Sequence, residues 1–188
     1  ALPILKLSVN KEQIIEGLQK AAAIIPAKAG AAYLRSIWLK AEKGSLSIMA
    51  TDANIEFTGR YPAEVKQPGL IGVQGRAFVD LVRQLPAGVL QLTLDESTGN
   101  LLLEQGRRTY KLPVSGAEWF QNFSEFPAES PVTWSGDFLQ DVLDRVVFCI
   151  SDDDATDAIT CLYMKPCGNG RIDVCGLNGH QFALVSFT

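Results

Sequence analysis

Leu5, Leu7 and Val9 alternate with Lys6 and Ser8. That is the two-residue period of a strand with one face in a core. The period then changes. Ile14, Ile15, Leu18, Ala22 and Ile25 recur at helical intervals and draw one apolar stripe. Lys11, Glu12, Glu16, Gln19 and Lys20 fall on the opposite side, with Glu16 and Lys20 spaced for an i,i+4 ion pair. Asn10 is placed to cap this helix and Pro26 to stop it. Ile37 and Leu39, then Leu46 and Ile48, alternate with polar residues on either side of a Glu42-Lys43-Gly44-Ser45 turn. A third strand is expected over residues 54–61. The unit is strand, helix and three strands.

The unit recurs. Residues 70–86 read as a short strand and a helix with Phe78, Leu81, Val82 and Leu85 on its apolar side, stopped by Pro86. Residues 89–114 read as three alternating strands with turns at Thr98-Gly99 and Gln105-Gly106. A third copy follows a Pro- and Ser-bearing stretch at 124–134. It starts with a short strand over 132–134 and a helix capped by Asp137, with Phe138, Val142, Val146 and Cys149 on one face. Three strands over 161–187 complete it. Residues 174–183 (VCGLNGHQFA) fall where 48–57 (IMATDANIEF) fell, an offset of about 126 residues. The expected fold is α+β, built of repeated β-α-β-β-β units, with helices on one face and antiparallel sheets on the other. Two copies pair into a domain over residues 1–125, and residues 126–188 form the first half of a second. Each helix then buries its stripe on the sheets. The polar helix faces line up toward solvent or a large partner.

Composition narrows the class. The chain has 188 residues, 47% hydrophobic and 20% charged, as globular proteins do. No run of 18 uncharged apolar residues suggests a membrane span, and the start turns polar too quickly for a signal peptide. Cys149, Cys161, Cys167 and Cys175 lack the paired spacing of a zinc site and read as reduced, mostly buried thiols of a cytoplasmic protein. Residues 1–125 hold 14 basic against 12 acidic residues, whereas 126–188 hold 3 against 9. This change of balance supports a boundary near 125.

Residues 5–21 (LKLSVNKEQIIEGLQKA), 44–61 (GSLSIMATDANIEFTGRY), 75–86 (GRAFVDLVRQLP), 106–114 (GRRTYKLPV) and 178–186 (NGHQFALVS) resemble, in order and spacing, the sliding clamps that serve as bacterial DNA polymerase III beta subunits. In that family three such domains make a subunit, and two subunits close head-to-tail into a homodimeric ring around double-stranded DNA. The resemblance implies a non-catalytic processivity factor in the cytoplasm, at the nucleoid. This chain would supply the first domain and half of the second. It implies no cofactor, metal or catalytic residue.

The ring would place basic residues on the exposed helix faces: Lys11, Lys20, Arg76 and Arg83, with Lys28 in the loop after the first helix. Lys28 and Arg76 fall where the family carries basic DNA contacts. Such contacts are independent of sequence, which suits sliding. The third helix departs, with Asp137, Asp141 and Asp144 against Arg145 alone, followed by Asp152, Asp153, Asp154 and Asp157. That loop would repel phosphate. It reads as a solvated acidic loop, or as a cation site without EF-hand spacing.

By the same resemblance Leu177, Gly179, His180, Gln181 and Phe182, with Ile159, would wall a pocket for short linear peptides of the replicative polymerase, the clamp loader and repair proteins. The family commonly has a TDGHRL-like run here, so Asn178 and Gln181 replace an acid and a base. Tyr110 and Leu112 lie on the strand that pairs with the other subunit in the family. Two other readings stay open: a stand-alone interaction module that forms no ring, and an enzyme using His180 and Cys175.

Overall fold

A computed structural model describes residues 5–26, 31–124, 133–151 and 159–188. The chain divides into two compact units, Ala1–Glu125 and Phe126–Thr188.

In the first unit β1 (Lys6–Asn10) leads into α1 (Lys11–Ile24), followed by β2 (Ser36–Glu42), β3 (Ser45–Thr51) and β4 (Glu56–Pro62). A further strand, β5 (Glu64–Gln67), precedes the second copy, which is β6 (Gly69–Gln74), α2 (Gly75–Gln84), β7 (Val89–Asp95), β8 (Asn100–Gln105) and β9 (Arg108–Ser115). The strand order is β4-β3-β2-β6-β9-β8-β7-β1-β5, antiparallel at each pairing. Two half-sheets meet where β6 pairs β9 at Gly72–Ser115 and Val73–Val114. Ile14 and Leu18 of α1 and Phe78 and Val82 of α2 share one buried core with Leu7, Leu39, Ile48, Leu92 and Leu103 of the strands.

Local chemistry explains most elements. Lys43 and Gly44 both have positive φ (47° and 76°), as a tight hairpin turn requires. Both helices end one residue before the residue preceding proline, at Ile24 and Gln84. The stripe of α1 is shifted from the expected one: Gly17 and Ala21 are buried, while Ile15 and Ala22 are only partly so. The Tyr61 ring occupies the space a Gly17 side chain would fill, so that turn packs closely on β4. Asn10 precedes α1 without a capping hydrogen bond from its side chain. It remains in β1, paired with Val89, and the first helical N–H, of Lys11, donates instead to the Gly88 carbonyl at 3.0 Å.

In the second unit α3 (Gly136–Asp144) is followed by a 3-10 turn over Val147–Cys149 and by β10 (Tyr163–Gly168), β11 (Arg171–Leu177) and β12 (Phe182–Phe187), one three-stranded sheet. The cap of α3 is Ser135, whose Oγ accepts from the Phe138 N–H at 3.2 Å; Asp137 lies inside the first turn, beside the positive helix end. Thr133 and Trp134 form no strand, and Val132 lies outside the described residues. Val142, Val146 and Cys149 are buried as the stripe implies, and Val174 meets the two valines from the sheet. Phe138 is not buried. Its ring packs edge-on against Trp134 and Phe187, at centroid distances of 5.8 and 5.0 Å. Of the cysteines only Cys149 is buried; Cys161 and Cys167 are exposed and Cys175 is intermediate. Cys149 is covered because its 3-10 turn packs against β11 at Gly176.

Candidate functional site

α1 and α2 pack against each other and turn their polar sides outward. Lys20 is exposed and pairs with Glu16 at 2.7 Å. The hydrogen bond and charge of Glu16 raise the Lys20 pKa, and Lys20 lowers that of Glu16 in return. Arg83 sits 3.4 Å from Asp80, again in solvent. Pairs this exposed are loosely held and leave the cations available to a stronger anion. Arg76 is exposed in the first turn of α2, its Nη2 donating to the Ile25 carbonyl at 3.5 Å.

Lys11 is placed differently. Its ammonium donates to the Arg83 carbonyl at 3.0 Å and also to the Leu85 carbonyl, the last carbonyls of α2. These acceptors have no partner within their own helix. Gly88 N–H in turn donates to the Glu12 carboxylate at 3.3 Å, so the start of α1 clasps the end of α2. Lys28 and the Asp152, Asp153, Asp154 and Asp157 group lie outside the described residues. Arg35 was not singled out by any helical period. It is exposed and borders a depression shared with Gln74, the residue before α2.

On α3, Arg145 is committed to Asp141 through two hydrogen bonds of 3.0 and 3.2 Å. Asp137 and Asp144 remain, and Asp144 accepts from Gln140 at 2.8 Å. The exposed side of this helix is therefore acidic.

The β11–β12 turn gathers Leu177, Gly179, His180, Gln181 and Phe182. Leu177 faces Phe182 across the strands, and all five are exposed. Asn178 Oδ1 accepts from the His180 N–H at 3.0 Å and the Gln181 N–H at 2.8 Å, while Gly179 takes φ +87°. The first repeat builds the same turn about 126 residues earlier. Asp52 Oδ1 accepts from Asn54 at 2.8 Å and Ile55 at 2.7 Å, and Ala53 takes φ +80°. Those N–H groups, Ile55 first, hold the Asp52 carboxyl below its ordinary pKa. Asn178 thus keeps the turn while removing its charge. Ile159 belongs to another segment, its carbonyl accepting from the Ser151 N–H at 2.9 Å. Among the described residues the His180 ring has no hydrogen-bond partner.

Tyr110 and Leu112 point into their own unit, opposite Leu103 and Leu101 of β8, and Leu112 is buried. What β9 offers outward is backbone. Among the described residues, β9 has no partner on the β6 side before Val114; Arg108 and Lys111 stand exposed along that stretch, and Arg107 in the turn that precedes it. No helix of the described residues is long and apolar enough to cross a membrane.

Known proteins share this architecture. The family model for the DNA polymerase III beta subunit, N-terminal domain, matches residues 5–124. The beta sliding clamp of Caulobacter vibrioides is 25% identical over 185 residues, covering 96% of this chain and 50% of its own. That of Vibrio cholerae is 26% identical over 182 residues, with 96% and 49% covered. The solved Caulobacter crescentus pol III beta superimposes with a TM-score of 0.89 at 25% identity, over 97% of this chain and 50% of its own. The Bacillus subtilis sliding clamp reaches 0.91 at 18% identity, over 98% and 50%. This chain spans about half the length of the relatives it matches. With the repeated unit, the paired helices and a match running from β1 past β9, the chain belongs to the DNA polymerase III beta subunit family.

Proposed function

We propose that these 188 residues act as the N-terminal half of a sliding clamp, which closes as a head-to-tail homodimer around duplex DNA and tethers the replicative polymerase. The observation that carries this reading is the repetition itself. The Asp52 and Asn178 turns share a hydrogen-bond pattern and a left-handed residue at an offset of about 126 residues. A protein assembled from such copies presents an outward helix face in every copy, as a ring's inner wall requires, although the charge of that face changes from α1 and α2 to α3.

In this reading Lys20, Arg76 and Arg83, with Lys28, touch phosphate, and Lys11 acts as a strut holding the two helices together. The acidic side of α3 adds little to DNA affinity. The unpaired stretch of β9 joins the other subunit by strand addition. Leu177, Gly179, His180, Gln181 and Phe182, with Ile159, form one wall of the peptide pocket used by polymerase, clamp loader and repair proteins. The protein does no chemistry. It raises the local concentration of what it tethers, and works at the nucleoid.

Primer extension with the whole protein, its loader and its polymerase tests the reading. Product length should rise sharply when the clamp is supplied. Product length independent of the clamp would contradict it.

A further inference from the structure

Among the described residues, nothing covers one face of the small sheet in the second unit. Cross-strand partners share a face, so Tyr163, Cys175 and Leu184 lie side by side on β10, β11 and β12, with Leu177 and Phe182 continuing the row. The four large apolar side chains among them are 46–61% exposed.

The first repeat shows what belongs there. Its equivalent row is Trp38, Met49 and Thr58, continued by Thr51 and Glu56. In that row Trp38 is 0% and Met49 6% exposed. The cover comes from the chain leaving the first pair of repeats. Phe120 meets the Trp38 ring edge-on at 5.2 Å, and Phe123 stacks on Phe120 at 5.6 Å. The Ser124 N–H then donates to the Glu56 carboxylate at 2.8 Å, at the position Phe182 takes in the third repeat. Residues 120–124 thus cross the sheet as an extended strap whose two rings do the covering.

We infer that the Tyr163–Cys175–Leu184 face is the seat of a second aromatic strap, the segment that would leave a fourth repeat as residues 116–124 leave the second. The inference rests on the clamp reading, because only a longer chain supplies that segment. The occupant is then part of the same chain. The exchange of Glu56 for Phe182 and of Thr58 for Leu184 gives this second seat a more apolar floor.

Cys175 reports on the cover. In the whole protein carrying Cys161→Ser and Cys167→Ser, alkylation of Cys175 by iodoacetamide is followed by peptide mass spectrometry. It should run about tenfold or more slower than in the 188-residue chain with the same substitutions, since the strap must open first. Replacing the rings of that segment by serine should restore the fast rate. Equal rates in the whole protein and the 188-residue chain would overturn the inference, as would slow alkylation that survives loss of the rings. Sizing the same samples keeps the two claims apart. A monomeric whole protein with protected Cys175 would contradict the ring and leave the strap standing.

Discussion

Replacing Lys11 with Met should destabilise the first unit without lowering the DNA affinity proposed for the assembled protein. The ammonium donates to the Arg83 and Leu85 carbonyls at the end of α2, where a positive charge is favourable. Methionine keeps most of the stem and removes the charge. Hydrogen bonds to charged groups contribute about 1.5–3 kcal/mol when shielded. Lys11 is only half-buried, and water can rehydrate the freed carbonyls, so about 1–2 kcal/mol is expected after that discount. For a unit of this size the melting temperature falls by about 4–8 °C. Urea unfolding followed by fluorescence of the buried Trp38 measures the loss. In the assembled protein the salt dependence of DNA binding should keep its slope in Lys11→Met, whereas Arg76→Met should lower it by about 0.9. Unchanged stability together with a reduced slope for Lys11→Met would refute the strut and return this lysine to the DNA contacts.

Gly17→Ala pushes a methyl into the Tyr61 ring and should cost about 1–3 kcal/mol in thermal unfolding. Adding Tyr61→Leu should recover part of that loss, and a purely additive double variant would count against the contact. Gly179→Ala forces a side chain onto φ +87° and should cost about 1–2 kcal/mol; in the whole protein, peptide affinity measured by calorimetry should fall with it. Asp173 is held well below the ordinary carboxylate range, first by Arg171 and then by the Ser186 hydroxyl and the Cys167 thiol. Its contribution is therefore present above its unfolded value of about 3.9 and disappears as the pH falls toward its folded value. Asp173→Asn should flatten the acid side of the second unit's stability profile below about pH 4, and hydrogen exchange in β11 is the readout; an unaltered profile would contradict the network.

Elements set by local chemistry were legible in the chain. The stripes of Phe78 and Val82 and of Val142 and Val146, the stops before Pro26 and Pro86, and the hairpin turn at Lys43-Gly44 all follow from period and residue type. β5 was not legible, because Glu64-Val65-Lys66-Gln67 is a polar edge strand with one apolar residue; its identity comes from pairing with β1. The burial of Gly17 depends on Tyr61, and the position of the Lys11 ammonium on the end of α2, both distant in sequence. The turn at His180 was legible as a local motif. That Asn178 repeats the bonding of Asp52 was not, because an amide oxygen and a carboxylate look different in sequence but accept the same two N–H groups. Arg35 and the exposed Arg107, Arg108 and Lys111 belong to a 3-10 turn, a hairpin and a sheet edge, where no helical period marks them.

The central claim is topological, and topology has a direct assay. The whole protein is loaded by its clamp loader onto nicked circular DNA, freed of loader, washed at a salt concentration that strips ordinary phosphate contacts, and then exposed to a restriction enzyme that linearises the circle. A closed ring stays on the circle through the wash and slides off once an end is made. Loss in the wash, or equal retention on circular and linear DNA, would contradict the account.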